Sequence, residues 1–325
     1  MEMRILITGG LGFIGSNLLH YLANKKEVKN IIVLDNFSKA NLTNLDKNLK
    51  YTYFSSARMY KKSKSRIVII KANINNEKLA TKITKDVDYV VHLAAESGVD
   101  TSLEKPRESF NTNVNATFNY LESSRINKIK RFIFASSCAV FGDSKPPYNE
   151  NLARNPISPY ASGKLGIETF CESYSNVFNL NTTILRFSNA YGNYSKHKKS
   201  VISKFIQDII KNKPLNINGD GSITRDFIHV DDICDAIYKC IKSKKGLQIY
   251  HVATGKETSI NSLVGLMKKI FKKYNKNNIV IKYKKERVGD MQKNYSSISK
   301  IKKEINWKNK ISLNKGLEKT IKWYL

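Results

Sequence analysis

The residues best suited to do chemistry lie in Ser158-Pro159-Tyr160-Ala161-Ser162-Gly163-Lys164. Ser158 is a good N-cap and Pro159 suits the first helical position, so a helix is predicted to start here. Tyr160 and Lys164 then stand four residues apart on one face. A free tyrosine hydroxyl has a pKa of about 10 and is a poor base near neutrality. An ammonium held close to it favours the phenolate and lowers that pKa. The pair can therefore move a proton to or from a sugar or alcohol hydroxyl. Alone, the spacing equally fits an ordinary tyrosine and a solvated lysine. The order of the segments around it selects the chemical reading.

Those segments begin at the N-terminus. The strand-like run from Met3 to Ile7 passes through Thr8 into Gly9-Gly10-Leu11-Gly12-Phe13-Ile14-Gly15, and a helix-like stretch follows through Leu18, Leu19 and Leu22. Strand, glycine-rich turn and helix in that order let backbone amides approach a pyrophosphate where the helix dipole favours negative charge. Gly10-x-Gly12-x-x-Gly15 and Gly9-x-x-Gly12-x-x-Gly15 both fit. A second strand, Ile31 to Leu34, ends at Asp35. This is about 20 residues past the last glycine, where an acid takes the adenosine ribose hydroxyls of NAD.

Residues 36–66 are polar and long for a connection, and read as a mobile insertion without chemistry of its own. Further strands are expected at 66–71, 88–93, 131–134 and 182–187. A helix starting at Pro106 would carry Phe110, Val114, Phe118 and Leu121 on one face. The alternation predicts an α/β protein with a Rossmann-type doubly wound parallel sheet. Past residue 187 the pattern loosens. A smaller mixed α/β domain is expected there, woven from two segments. Residues 1–187 and 226–254 would form the dinucleotide-binding domain, and 188–225 and 255–325 the substrate domain.

Composition narrows the class. The chain has 325 residues, 41% hydrophobic and 10% aromatic, which describes a soluble globular protein with ample core. No signal-peptide layout and no apolar run of membrane-span length is present, so a cytoplasmic protein without membrane insertion is expected. Cys138, Cys171, Cys234 and Cys240 form no CxxC pair, and the five histidines are scattered, so no metal site is expected. Lys plus Arg outnumber Asp plus Glu by 56 to 27, a formal net charge of +29. The lysines spread over the whole chain and no nucleic-acid motif accompanies them, so nucleic acid is not an expected partner.

Taken together, Thr8 to Gly15, Leu93-Ala94-Ala95, Ser136-Ser137-x-x-Val140-Phe141-Gly142, Tyr160-x-x-x-Lys164 and Arg225-Asp226-Phe227-Ile228-His229-Val230-Asp231-Asp232 resemble the extended short-chain dehydrogenase/reductase family. Within it the chain most resembles NAD-dependent nucleotide-sugar epimerases of the UDP-glucose 4-epimerase type. The resemblance covers nearly the whole chain. It implies that Gly9, Gly12, Phe13, Ile14 and Gly15 cradle the NAD pyrophosphate, with Asp35 and Asn36 at the adenosine ribose. Asn73 and Ile74 would lie beside the adenine, where the family usually has Asp-Ile. Leu93, Ala94, Ala95 and Asn113 would complete the cofactor site. Ser137 would hold the sugar hydroxyl, Tyr160 would be the acid/base and Lys164 would bind the nicotinamide ribose. Asn189, Arg225, Arg287, Asp290 and Asn294 match substrate positions, the two arginines suiting a diphosphate by their planar fork.

The implied reaction is 4-epimerisation of a UDP-hexose by transient oxidation at C4, with Tyr160 as the phenolate base. Cys138-Ala139 stand where related 4,6-dehydratases carry Asp-Glu, so the acid that eliminates water is missing. Competing readings are another NAD-dependent sugar dehydratase, decarboxylase or reductase, and a non-catalytic NAD-binding regulator. The resemblance also implies a homodimer that pairs the helix after strand four with the Tyr160 helix, through Phe110, Val114, Phe118 and Leu121 and through Ile167, Phe170, Tyr174 and Val177. Asn294 falls where a bulky Tyr restricts such pockets to glucose and galactose. A one-residue shift would put Tyr295 there instead.

Overall fold

The apolar runs become strands because a parallel sheet buries them on both faces. The computed structural model describes residues 2–58, 60–286 and 292–325. In chain order the first half contains β1 (Met3–Thr8), α1 (Phe13–Ala23), β2 (Val28–Asp35), β3 (Thr52–Phe54), β4 (Ile67–Lys71), α2 (Glu77–Thr84), β5 (Tyr89–His92), α3 (Val99–Glu104), α4 (Pro106–Phe110), α5 (Ala116–Ile126), β6 (Arg131–Ser137), α6 (Pro159–Phe178) and β7 (Thr182–Phe187). The second half contains β8 (Asn189–Tyr191), α7 (Val201–Ile210), β9 (Leu215–Asn218), β10 (Thr224–Arg225), β11 (Phe227–His229), α8 (Val230–Ile241), β12 (Gln248–Val252), β13 (Thr258–Ser259), α9 (Ile260–Lys272), β14 (Ile281–Lys284), α10 (Ser299–Ile305) and α11 (Leu313–Tyr324).

Eight strands form one sheet in the order β12-β7-β6-β5-β1-β2-β4-β3. Every neighbouring pair in it is parallel. The strand order reverses at β1, which lies between β2 and β5. A crevice therefore opens beyond the carboxyl ends of these strands, the usual ligand position in such sheets. One face of the sheet packs against α1, α8 and residues of the α10 region such as Ile301 and Trp307. The other packs against α2, α5 and α6. A separate core joins α7, α9 and α11 around Leu215, Ile217 and Phe227.

Residues 36–66 depart from the expected free insertion. They contain β3, which adds a parallel edge strand to β4, and Leu45 and Tyr60 are buried. The Tyr60 hydroxyl donates to Asp86 at 2.5 Å, which ties the segment down. The helix expected from Pro106 is broken: α4 passes through a π-helical turn at Asn111–Asn115 before α5 begins.

The segment from Arg225 to Asp232 proves to be a brace. Asp226 is fully buried and accepts from Thr254 N and Oγ1 and from Gly255 N, at 2.9, 2.6 and 2.9 Å. Asp232 accepts from Lys310 N and Ile311 N at 2.9 and 3.0 Å. His229 caps α8 by accepting from Asp231 N. All four cysteines are free and buried. Among the described residues no helix is long and apolar enough to cross a membrane, and no group of His, Cys, Asp and Glu is placed to hold a metal ion.

Candidate active site

The glycine turn lies at the carboxyl end of β1, pressed against the end of β5. Gly9 has φ +66°, and a Cβ there would stand 2.7 Å from Ala94 Cα. A Cβ on Gly15 would stand 2.2 Å from the Gly9 carbonyl oxygen. Only glycine permits both approaches, and the packing leaves the amides at the start of α1 facing the crevice. Gly12 is the N-cap of α1. Phe13 is buried in the first core, with Ile14 packed on its edge. Asp35 closes the turn from β2: its Oδ2 accepts from Leu11 N at 3.0 Å and its Oδ1 from Phe37 N at 2.8 Å. Burial raises its carboxyl above the ordinary value, while these amides hold it down.

From β5, Thr8 Oγ1 accepts from Ala94 N at 3.3 Å. Leu93, Ala94 and Ala95 are half-buried along the crevice. Asn113 sits in the π-helical turn and is buried. Its Oδ1 accepts from Glu96 N at 2.8 Å and its Nδ2 donates to Glu96 O at 3.0 Å. The wider turn aims this amide at the backbone after β5, a use of π-turns common at functional sites. Asn36 is exposed, with Oδ1 accepting from Ser38 N. Asn73 is also exposed and closes a turn onto Asn75 N, while Ile74 packs in the second core.

At the end of β6, Ser137 Oγ accepts from Ala139 N at 3.1 Å and hydrogen-bonds the Tyr160 phenol. Ser158 caps α6, as its type predicts, by accepting from Ala161 N at 3.2 Å. Lys164 is buried and donates to Ala135 O at 2.8 Å. Its ammonium lies 5.8 Å from the centre of the Tyr160 ring and 4.8 Å from that of Phe134. Ser137, Tyr160 and Lys164 thus converge at the carboxyl end of β6.

The charges there differ from the sequence-based expectation. Burial pushes the Tyr160 phenol above its ordinary value, and the Ser137 hydrogen bond offsets this only in part. Burial likewise lowers Lys164 to about 7, against the opposing pull of Glu168. Desolvation by burial is the largest cause for both groups.

On the other side of the crevice, β8 carries Asn189, whose N donates to Asp226 O at 3.0 Å. Arg225 is half-buried, and its Nη1 donates to Thr224 O at 2.8 Å. Asn294 is buried, and its carbonyl accepts from Asp226 N at 2.9 Å. Ser296, two residues on, is also buried, with Oγ 3.2 Å from Cys138 Sγ. In extended chain Asn294 and Ser296 share a face, and Tyr295 lies on the opposite one, half-buried. Arg287 and Asp290 lie outside the described residues.

Sequence reasoning missed Glu168 and Arg186, and gave Ser136 no role beyond its place in the motif. Glu168 is fully buried and pairs with Arg186 at 2.7 Å. Its position four residues after Lys164, among the apolar positions of α6, was the available signal. It also missed His92, buried between Thr8 Oγ1 and Thr117 Oγ1 at 3.0 Å each.

Lys164 gives a pH prediction. Its ordinary value is 10.5 and its folded value is about 7. Between these the unfolded chain holds a proton that the folded chain has lost, so stability rises with pH across the window. The contribution has a limiting slope of about 1.4 kcal/mol per pH unit. In Lys164→Met this rise disappears. Urea denaturation of ligand-free wild type and variant at several pH values between 7 and 10 measures the difference. Parallel curves would refute it.

Residues 6–320 match the family described as GDP-mannose 4,6 dehydratase. A putative UDP-glucose 4-epimerase of Methanocaldococcus jannaschii is 34% identical, over 98% of this chain and 97% of the relative. Among solved structures, a UDP-N-acetylglucosamine 4-epimerase of Methanobrevibacter ruminantium, in complex with UDP-N-acetylmuramic acid, superposes with TM-score 0.88 at 30% identity, over 99% of this chain and 98% of that one. A dTDP-glucose 4,6-dehydratase of Streptomyces venezuelae with NAD bound superposes with TM-score 0.85 at 27% identity, over 99% and 97%. Matched from the first sheet strand to the last helix, the chain belongs to the GDP-mannose 4,6-dehydratase-type family of short-chain dehydrogenases/reductases.

Proposed function

We propose that the protein is an NAD-dependent 4-epimerase of UDP-hexoses. The observation that carries this reading is Ser137, Tyr160 and Lys164 gathered at the carboxyl end of β6 with no acid at positions 138 and 139. NAD is the cofactor, and the residues fit it. The turn leaves no room for a Cβ at Gly9 or Gly15, and Asp35 stands at the end of β2. Lys39, which could otherwise meet a 2′-phosphate, is 3.2 Å from the Glu96 carboxylate. Gly9, Gly12, Phe13, Ile14 and Gly15 would hold the pyrophosphate, Asp35 and Asn36 the adenosine ribose, and Asn73 and Ile74 the adenine side. Leu93, Ala94, Ala95, Asn113, Tyr160 and Lys164 would line the nicotinamide end.

Bound NAD supplies a cationic, reversible hydride acceptor. The chain's own residues do the rest. Ser137 orients the sugar 4-hydroxyl and the Tyr160 phenol. Tyr160 takes the proton from that hydroxyl as C4 is oxidised, and returns it after the 4-keto sugar has turned in the pocket. Lys164 holds the ribose beside Tyr160. Asn189, Arg225, Arg287 and Asp290 are the proposed nucleotide-sugar contacts. The division into 1–187 with 226–254 and 188–225 with 255–325 is proposed as the cofactor and substrate lobes, with the α10 region packed back on the first.

Dehydratases among the relatives define the main rival. Elimination of water needs a further acid. Burial pushes the Cys138 thiol up to about 11, and Ala139 has no proton to give. A non-catalytic regulator would have no use for the retained Ser137, Tyr160 and Lys164. Incubation with UDP-glucose, UDP-galactose and their N-acetyl forms, followed by separation of products, is expected to show interconversion at C4. Tyr160→Phe should abolish turnover while NAD stays bound. A 4-keto-6-deoxy product, or turnover in Tyr160→Phe, would overturn the reading.

Asn294 supports a pocket that admits an N-acetyl group. Its face is shared with Ser296 and is opposite that of Tyr295, which argues against the one-residue shift. Asn is smaller than Tyr and its amide can meet an acetamide. N-acetylated UDP-hexoses are expected to be substrates beside the plain ones, and Asn294→Tyr should remove that activity selectively. Activity of the wild type on plain sugars alone would refute this.

A homodimer is part of the proposal. Of the residues named for it, Leu121, Ile167 and Tyr174 are buried inside the protomer, while Phe110, Phe170 and Val177 are 47%, 42% and 66% exposed. These three, with Leu103 and Phe178, leave an apolar face on α3, α4 and α6 that a second copy would cover. Sedimentation at micromolar concentration should show a dimer, and Phe170→Glu a monomer. A monomeric wild type would exclude it.

A further inference from the structure

We infer that Glu168 is a positioning residue for the Tyr160–Lys164 pair, acting through Ser136 and Arg186. The inference rests on the reading of Ser137, Tyr160 and Lys164 as the reacting set. Tyr160, Lys164 and Glu168 succeed one another at intervals of four on α6, so one helix face carries all three. Glu168 is fully buried and lies a turn below Lys164, away from the crevice. Its Oε1 accepts from Ser136 Oγ at 2.5 Å and from Arg186 Nε at 3.0 Å, and its Oε2 from Arg186 Nη2 at 2.7 Å.

These partners stand on two adjacent strands. Ser136 on β6 is directly opposite Arg186 on β7 in the sheet register. Ser136 also precedes Ser137 and follows Ala135, whose carbonyl receives the Lys164 ammonium. A single carboxylate therefore pins the helix that bears the base onto the strand that bears its hydrogen-bond partner. It does so one residue before Ser137 on β6 and two turns after Tyr160 on α6.

Stability alone gives little reason for this arrangement. A buried ion pair is often matched or bettered by apolar side chains of similar volume. Here Arg186 Nη1 is also buried without a hydrogen-bond partner, which adds a cost. What the pair supplies that apolar packing does not is direction: three bonds with fixed angles. A misplacement of about 1 Å in a reacting group can cost a factor of about 100 in rate.

The charges around the pair fix the expected pH effect. Arg186 from β7, Arg154 from the loop before α6, and Lys164 and Cys171 from α6 itself face Glu168. His92 and Tyr160 in turn face Lys164. Replacing Glu168 by Gln keeps the shape and removes the negative charge. The uncompensated Arg186 cation then favours the Tyr160 phenolate and disfavours the Lys164 ammonium.

The test uses Glu168→Gln, Ser136→Ala, the double variant and Tyr160→Phe, each loaded with NAD. Glu168→Gln should lose about 100-fold in kcat with little change in KM, the pattern of a lost transition-state arrangement. Its bound NAD, measured after release from the protein, should match the wild type. The acidic limb of its kcat/KM profile should move to lower pH. Ser136→Ala removes the hydrogen bond without a charge, so kcat should fall with the limb in place. The double variant should be no slower than Glu168→Gln, since both changes cut the same link. Wild-type kcat and pH profile in Glu168→Gln, beside an inactive Tyr160→Phe, would overturn the role of Glu168 and leave the reacting set standing. An active Tyr160→Phe would overturn the reacting set and the positioning role with it. If Glu168→Gln folds, an additive loss in the double variant also overturns the inference; if it fails to fold, Ser136→Ala decides, and wild-type kcat there overturns it.

Discussion

The ammonium of Lys164 is held where it meets a backbone carbonyl, two aromatic rings and, a turn below, a carboxylate already paired with arginine. Taking such a group out of water is costly, and a single hydrogen bond does not repay it. The position is tolerable because the sheet and α6 leave no alternative for the side chain. Ala135 O points at it from β6, and the i+4 turn of the helix brings Glu168 beneath. The same dryness acts on Tyr160 in the opposite sense. Burial pushes both groups toward their neutral forms. A further positive charge in the crevice would favour the phenolate.

That crevice exists because of where the strand order turns. β1 has β2 on one side and β5 on the other, and the turn after β1 must pass close to the end of β5. The approach of Gly9 to Ala94 is the tightest expression of this constraint. It brings the amides of α1, the carboxylate of Asp35 and the backbone held by Asn113 around one opening. The Ser137 end of β6 lies on the far side of β5 from β1. Ser137 and the glycine turn are thus set at the same carboxyl edge of the sheet by strand order and not by sequence.

Much of this was legible in the chain. Ser158 and Pro159 mark the start of α6 because capping is a local interaction, and Ser158 accepts from Ala161 N as its type requires. The strands were legible because runs such as Ile31 to Leu34 admit no other burial. The unread parts are those set by tertiary contact. A strand of three residues, Thr52–Phe54, carries too short a pattern to separate it from loop, and only its pairing with β4 defines it. The π-helical turn at Asn111–Asn115 has no local signature, since its extra residue is accommodated by the Asn113 bonds to Glu96. The direction of the Tyr160 shift differs from the expectation because spacing shows that a cation is near but not how far the phenol is buried. Glu168 was passed over because an acid on a helix is usually solvated, and its partner Arg186 is on another strand.

The turn after β6 shows how little of the fold the choice of reaction requires. Cys138 is directed inward, with its thiol 3.5 Å from Ser188 Oγ, 3.6 Å from His251 Nδ1 and 3.2 Å from Ser296 Oγ. A carboxylate at that position would be desolvated and would favour its protonated form. Ala139, the next residue, is only half-buried, so the backbone that presents Ser137 to Tyr160 offers two further positions that differ in burial. This chain fills them with a thiol and a methyl group. The fold matches both an epimerase and a dehydratase, so the fold does not choose between the two reactions.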